Sequence, residues 1–130
     1  MTVYMTDTHA LLWAFHQPRK LGENARRVFD EIANGKARLL IPVIVMAELI
    51  FTIENKPIEA DLDKILDAID NSPNVEFVDF DYAATLKLRT LSSIPEMHDR
   101  MIVASAVLNG ATLITRDRAI TAAKVVEVIW

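Results

Sequence analysis

HDRMIVASA, residues 98–106, is the stretch on which the fold turns. From Met101 to Leu108 every side of a helical wheel is apolar or small, the pattern of a buried helix rather than one lying on a surface. Asp99 stands at its entrance. An ionised carboxylate in an apolar setting must find hydrogen bonds, a counter-charge or a metal, so Asp99 either caps this helix or does chemistry.

Working outward, the helix runs from about Glu96, after the break at Pro95, to Asn109, and Gly110 stops it. Ala111 to Thr115 then reads as a strand leading straight into Asp117, followed by a short helical turn through Ala123 and a last strand, Val125 to Ile129. On the other side, Val75 to Phe80 alternates as a strand, and Asp81 caps a helix from Tyr82 to about Leu91. Between Pro57 and Asn71, Ile58, Leu62, Ile65, Leu66 and Ile69 form a helical stripe, with Glu59, Asp61, Asp63, Asp67 and Asp70 as its solvated acidic face.

Ala37 to Ile41 is a short apolar strand, and Pro42 opens a helix to about Asn55 that carries Glu48. Gly22 opens a helix through Asn34 that Gly35 ends. Thr2 to Thr6 is a buried strand, followed by Asp7 and by a helix from Thr8 to His16 that Pro18 ends. Strands alternating with helices predict an α/β protein: three α/β/α layers around a central, mainly parallel sheet of about five strands, with right-handed crossovers.

The chain has 130 residues, enough for one domain spanning residues 1–130. Hydrophobic residues make up 52%, with three glycines and five prolines, which describes a packed globular protein. No cysteine is present, so disulfides, thiolate zinc sites and cysteine nucleophiles are excluded. The N-terminus has no basic leader, and Asp7 interrupts its first apolar segment. The longest apolar stretch, Leu39 to Phe51, is broken by Pro42 and Glu48 and falls short of the ~20 residues of a membrane span. The expectation is a soluble, cytoplasmic protein with no membrane contact. The net charge is −4, but setting aside four acids assigned below to one site leaves fourteen acids against fourteen bases, so overall charge excludes no nucleic-acid partner.

Those four are Asp7, after the first strand; Glu48, about two turns into the helix after the second; Asp99; and Asp117, after the fourth strand. In an open parallel sheet, ligands bind at the carboxyl edge where the strand order reverses. If the first and fourth strands are neighbours across that reversal, Asp7 and Asp117 face each other and the helix openings bring Asp99 and Glu48 toward them. Each acid also has a plainer explanation. Asp7 and Asp117 could be N-caps, and Asp99 could complement a helix dipole. Glu48 is harder to explain away, since Ile44, Val45, Phe51 and Thr52 share its face and no base lies between Pro42 and Asn55. Crowded carboxylates need cations, and hard oxygen ligands favour Mg²⁺ or Mn²⁺, which can activate water for phosphodiester hydrolysis without a protein nucleophile.

DTHALLW at Asp7, the Ala47-Glu48-Leu49 helix, HDRMIVASA at Asp99 and LITRD at Asp117 together resemble the PIN-domain ribonucleases, in particular the VapC-type toxins of bacterial and archaeal toxin–antitoxin pairs. The resemblance runs nearly the whole chain, to Val128-Ile129-Trp130. It implies a PIN-like α/β/α fold and a Mg²⁺-dependent endoribonuclease (Mn²⁺ as alternative) whose acidic metal site is Asp7, Glu48, Asp99 and Asp117, with Thr115 as a supporting hydroxyl. It also implies an RNA substrate such as transfer or ribosomal RNA, a homodimer, and a small antitoxin that blocks the site. This chain departs from many relatives at Val45, where a serine is common, and at Glu96, where an aspartate is common.

Arg100, Arg116 and Arg118 flank the acids and are candidates to hold RNA phosphates. The alternative is that Arg100 pairs with Glu96 one turn earlier and that the other two are solvated. His9, His16 and His98 are too scattered for a metal triad, and Trp13 and Phe15 read as core or dimer contacts before base-stacking platforms. A phosphoacceptor receiver lacks its adjacent acids and late lysine here, and an aspartic protease lacks glycine after Asp7-Thr8. No dinucleotide fingerprint or P-loop exists with glycine only at 22, 35 and 110. The rival from another class is a catalytically silent PIN-like module that binds RNA or protein.

Overall fold

The computed structural model describes residues 1–130. Strands β1 (Thr2–Thr6), β2 (Ala37–Pro42), β3 (Val75–Val78), β4 (Thr112–Ile114) and β5 (Val128–Ile129) form one sheet in the order β3-β2-β1-β4-β5, and every neighbouring pair is parallel. Helices α1 (Thr8–His16), α2 (Glu23–Ala33), α3 (Val43–Asn55), α4 (Leu62–Asp70), α5 (Tyr82–Lys87), α6 (Met97–Leu108) and α7 (Arg118–Ala123) complete the three-layer α/β/α architecture. Because helices cover both sheet faces, the central strands are continuous apolar runs, and Met5, Leu39, Ile41, Leu113 and Ile114 are fully buried. In α6, Ile102 to Ala106 are buried without interruption, while Leu108 emerges at the far end. No helix is long and apolar enough to cross a membrane.

The order places the reversal between β1 and β4, which pair as Tyr4↔Thr112, Met5↔Leu113 and Thr6↔Ile114. The Asp7 N–H donates to the Ile114 carbonyl at 3.2 Å, so the chain turns out of β1 directly beside the end of β4.

Several boundaries differ from the expected ones, each for a local reason. The helical stripe starting at Pro57 becomes a helix only at Leu62, where the Asp61 carboxylate accepts the Lys64 N–H at 3.2 Å; this acid is a cap as well as part of the solvated face. β3 ends at Val78 instead of Phe80 because its partner β2 ends at Pro42, which has no N–H to donate and leads into α3. β5 is confined to Val128–Ile129, paired with Leu113 and Ile114 of the three-residue β4. Beyond α5 the chain tightens into a 3₁₀ turn over Leu88–Thr90.

Gly35 and Gly110 end α2 and α6 as expected. At Gly110, φ is +60°; its N–H bonds the Val107 carbonyl at 3.2 Å and the Ala111 N–H bonds that of Ala106 at 2.9 Å, the paired bonds of a left-handed helix stop.

Candidate active site

Asp7 is the N-cap of α1, with one carboxylate oxygen accepting the Ala10 N–H at 2.8 Å and the other the Thr115 hydroxyl. Asp117 is the N-cap of α7 and accepts the Ile120 N–H at 2.9 Å through one oxygen, leaving the other free. Thr115, buried at the end of β4, receives the Asp117 N–H at 3.0 Å on the oxygen whose proton it gives to Asp7. One hydroxyl therefore ties the two aspartates across the reversal. Capping leaves room for a second role here, because each cap leaves carboxylate capacity unused.

Glu48 lies partly buried on α3, and its partner is the Thr8 hydroxyl at 3.0 Å, not a base. Asp99 sits in the first turn of α6, but the cap of that helix is Glu96, whose carboxylate accepts the Asp99 N–H at 2.7 Å and meets His98 Nδ1 at 2.8 Å. The Asp99 carboxylate itself receives no hydrogen bond.

Asp7, Glu48, Asp99 and Asp117 line one cleft of about 720 Å³, whose walls also include Thr8, His9, Trp13, Thr52, Lys56, Glu96, Arg116, Arg118 and Trp130. The only ion pairs in the chain are Arg27–Glu31, Arg38–Glu76 and His98–Glu96, so none of the four acids is in an ion pair, although the charge of His9 acts on Asp7. Their proximity shows in their acidities. Burial, followed by the charges of Asp117, Glu96, Glu48 and Asp7, pushes Asp99 up to about 6. Burial also raises Asp7, against the lowering effect of the Thr115 and Ala10 hydrogen bonds. The Glu96 hydrogen bond raises His98, and the bonds Glu96 accepts from Asp99 and His98 hold it low despite desolvation.

The donor set suits a hard divalent cation. No three acidic or histidine side chains close on a single ion by themselves. Mg²⁺, however, keeps several waters and takes only one or two carboxylates, so acids that do not close on one point are compatible with such an ion.

Arg116 and Arg118 line this cleft, whereas Arg100 does not. The Arg100 guanidinium donates to the backbone carbonyls of Ile94 and, at 3.4 Å, Ser92, so it neither faces the site nor pairs with Glu96. His9 lines the cleft. Sequence reasoning passed over Thr8, Lys56 and Glu96 as site residues; the signal for Thr8 was its place beside Asp7 at the carboxyl edge.

The PIN domain family model matches residues 4–126 of this sequence. The chain belongs to the PIN domain family. PIN domains are in general nucleases, and as a class they use divalent metal ions. No curated protein matches by sequence. Among solved structures, this PIN domain is similar to VapBC2 from Rickettsia felis bound to a DNA fragment from its promoter, with 19% identity, a TM-score of 0.77 and 98% of each chain covered. It is also similar to DNA-bound VapBC from Salmonella typhimurium, with 20% identity, a TM-score of 0.71, and 99% of this chain and 98% of that chain covered. A third is a toxin–antitoxin complex from Klebsiella pneumoniae, with 15% identity, a TM-score of 0.70, and 98% and 96% covered. At these identities the likeness is one of fold.

Proposed function

We propose that this PIN domain is a Mg²⁺- or Mn²⁺-dependent endoribonuclease and the toxin of a toxin–antitoxin pair. The observation that carries the chemistry is the gathering of Asp7, Glu48, Asp99 and Asp117 in one cleft with none of them in an ion pair. The toxin role rests on the fold shared with VapBC and toxin–antitoxin complexes, which supports a small antitoxin partner.

Asp7, Glu48, Asp99 and Asp117 would hold the cation, one or two of them directly and the others through its waters, and when bound it would lower the pKa of water and offset charge on the phosphate. The protein supplies orientation. Thr115 and the Ala10 N–H fix both oxygens of Asp7, Thr8 fixes Glu48, and the Ile120 N–H fixes one oxygen of Asp117. Asp99, pushed up to about 6 by burial and by its acidic neighbours, is the acid whose ionised form gains most from a cation in the cleft. Arg116, Arg118 and Lys56 line the same cleft as candidate contacts for the RNA backbone. In the reaction a water oxygen bonds to phosphorus, the bond to one ribose oxygen breaks, and that oxygen leaves with a proton.

A homodimer fits an exposed apolar stripe on α3, where Val43, Ala47 and Phe51 recur every fourth residue and Phe51 is 68% exposed. Tyr82 and Leu86 form a similar exposed pair on α5.

Incubating the purified protein with total cellular RNA and Mg²⁺ tests the proposal. Cleavage that stops with a chelator and in a folded Asp7→Asn variant is expected. Cleavage that persists in Asp7→Asn would move the chemistry elsewhere.

A further inference from the structure

Arg116 stands between Thr115 and Asp117, in a cleft with four uncompensated carboxylates, and pairs with none of them. Its guanidinium lies instead over the indole of Trp13, 4.7 Å from the ring centre. Trp13 meets Trp130 edge-on at 5.7 Å and 63°. These three side chains come from α1, from the turn after β4 and from the residue after β5, and all three line the same cleft as the acids.

The position of Trp130 depends on Gly22. A Cβ there would lie 2.6 Å from both the backbone and the indole of Trp130, closer than real contacts allow. The wall is thus assembled from parts distant in sequence and held at the rim of the acidic site.

A guanidinium on an indole keeps its charge and offers a flat outer face, and Arg116 is exposed. Phosphates need only charge, which Arg118 and Lys56 also provide. Flat cationic and aromatic surfaces suit nucleobases, which stack on indoles and guanidinium planes whatever their sequence. Resting on the ribonuclease reading of the cleft, we propose that Trp13, Arg116 and Trp130 form a stacking subsite for one nucleobase beside the scissile phosphate.

Binding of a short labelled single-stranded RNA and of an abasic ribose-phosphate oligomer of equal length, measured by fluorescence anisotropy with the Asp7→Asn protein, tests this. The base-containing oligomer is expected to bind about tenfold more tightly. It is also expected to quench tryptophan emission, because the only two tryptophans of the chain are in this wall. Adding Trp13→Leu or Trp130→Leu removes the preference, so that binding of the base-containing oligomer falls by several-fold more than abasic binding does, while Trp13→Phe, which keeps an aromatic face and covers the case in which Trp13→Leu unfolds, retains most of it. Equal affinity for the two oligomers, failure to bind either, or a preference that survives both leucine variants in folded protein overturns the proposal. RNA cleavage by the wild-type protein separates the two ideas. A base preference without cleavage sinks the nuclease and leaves the subsite, and cleavage without a preference does the reverse.

Discussion

Replacing Asp99 by asparagine should stabilise the metal-free protein while removing its activity. The carboxyl is raised from its ordinary 3.8 to about 6 by burial and by the charges of Asp117, Glu96, Glu48 and Asp7. Undiluted, that difference corresponds to about 3 kcal/mol. Asp99 is only partly buried at the cleft, and solvent screening reduces the figure to about 1–2 kcal/mol. A negative charge in the first turn of α6 is itself favourable by about 0.3–1 kcal/mol, and asparagine loses that too. The net gain is therefore about 1 kcal/mol, or about 3–5 °C in Tm for a chain of this size.

The sign follows from linkage. A raised carboxyl binds its proton more tightly in the folded state, so wild-type stability falls as pH rises from 3.8 to about 6, and the full penalty persists above that. Melting curves in a chelator at pH 7.5 should put Asp99→Asn above wild type. The gap should close near pH 4, where the wild-type carboxyl is protonated. Saturating Mn²⁺ should reverse the order at pH 7.5, because only the wild type gains from the ion. A variant that melts below wild type in chelator at pH 7.5, or an equal gain at both pH values, would refute the idea that the four acids repel one another across an uncompensated site.

Thr115→Val, which severs the hydroxyl link between Asp7 and Asp117, should lower RNA cleavage by about 10–100-fold, while Thr115→Ser keeps most of it in the same assay. Gly110→Ala should cost about 1–2 kcal/mol in urea unfolding from backbone strain alone, since φ is +60° and nothing lies within 4 Å of the added Cβ; Gly110→Asn should cost less, because asparagine tolerates that conformation. Phe51→Glu tests the proposed homodimer: the variant should sediment as a monomer and lose the concentration-dependent part of the melting temperature while melting no lower than dilute wild type, since in the single chain the ring is 68% exposed.

The fold was legible because the buried strands and α6 are apolar on all sides, a pattern that only a sheet covered on both faces requires. The convergence of the four acids on one cleft was legible from position: Asp7 and Asp117 follow strands whose neighbours are set by the reversal at β1 and β4. Contacts between distant residues were not. Thr8 meets Glu48 across forty positions, and Gly22 makes room for Trp130 from the other end of the chain; no local pattern announces either. Glu96 caps α6 although glutamate is not among the favoured N-caps, so propensity pointed past it to Asp99. Arg100 looked like a phosphate contact from its place beside Asp99, but two backbone carbonyls left by the turn at 92–94 claim its guanidinium. Edge boundaries failed for a related reason: β3 and β5 extend only as far as their partners can pair.

Calorimetric titration with Mn²⁺ at pH 7.5 tests most directly whether Asp7, Glu48, Asp99 and Asp117 are one cation site. Saturable binding to the wild type is expected, weakened at least tenfold in each of the single Asp7→Asn, Asp99→Asn and Asp117→Asn variants, and declining in the wild type as pH falls below about 6, where protons compete for Asp99. Mn²⁺ binding that is absent from the wild type, or unchanged in folded variants, would contradict the account.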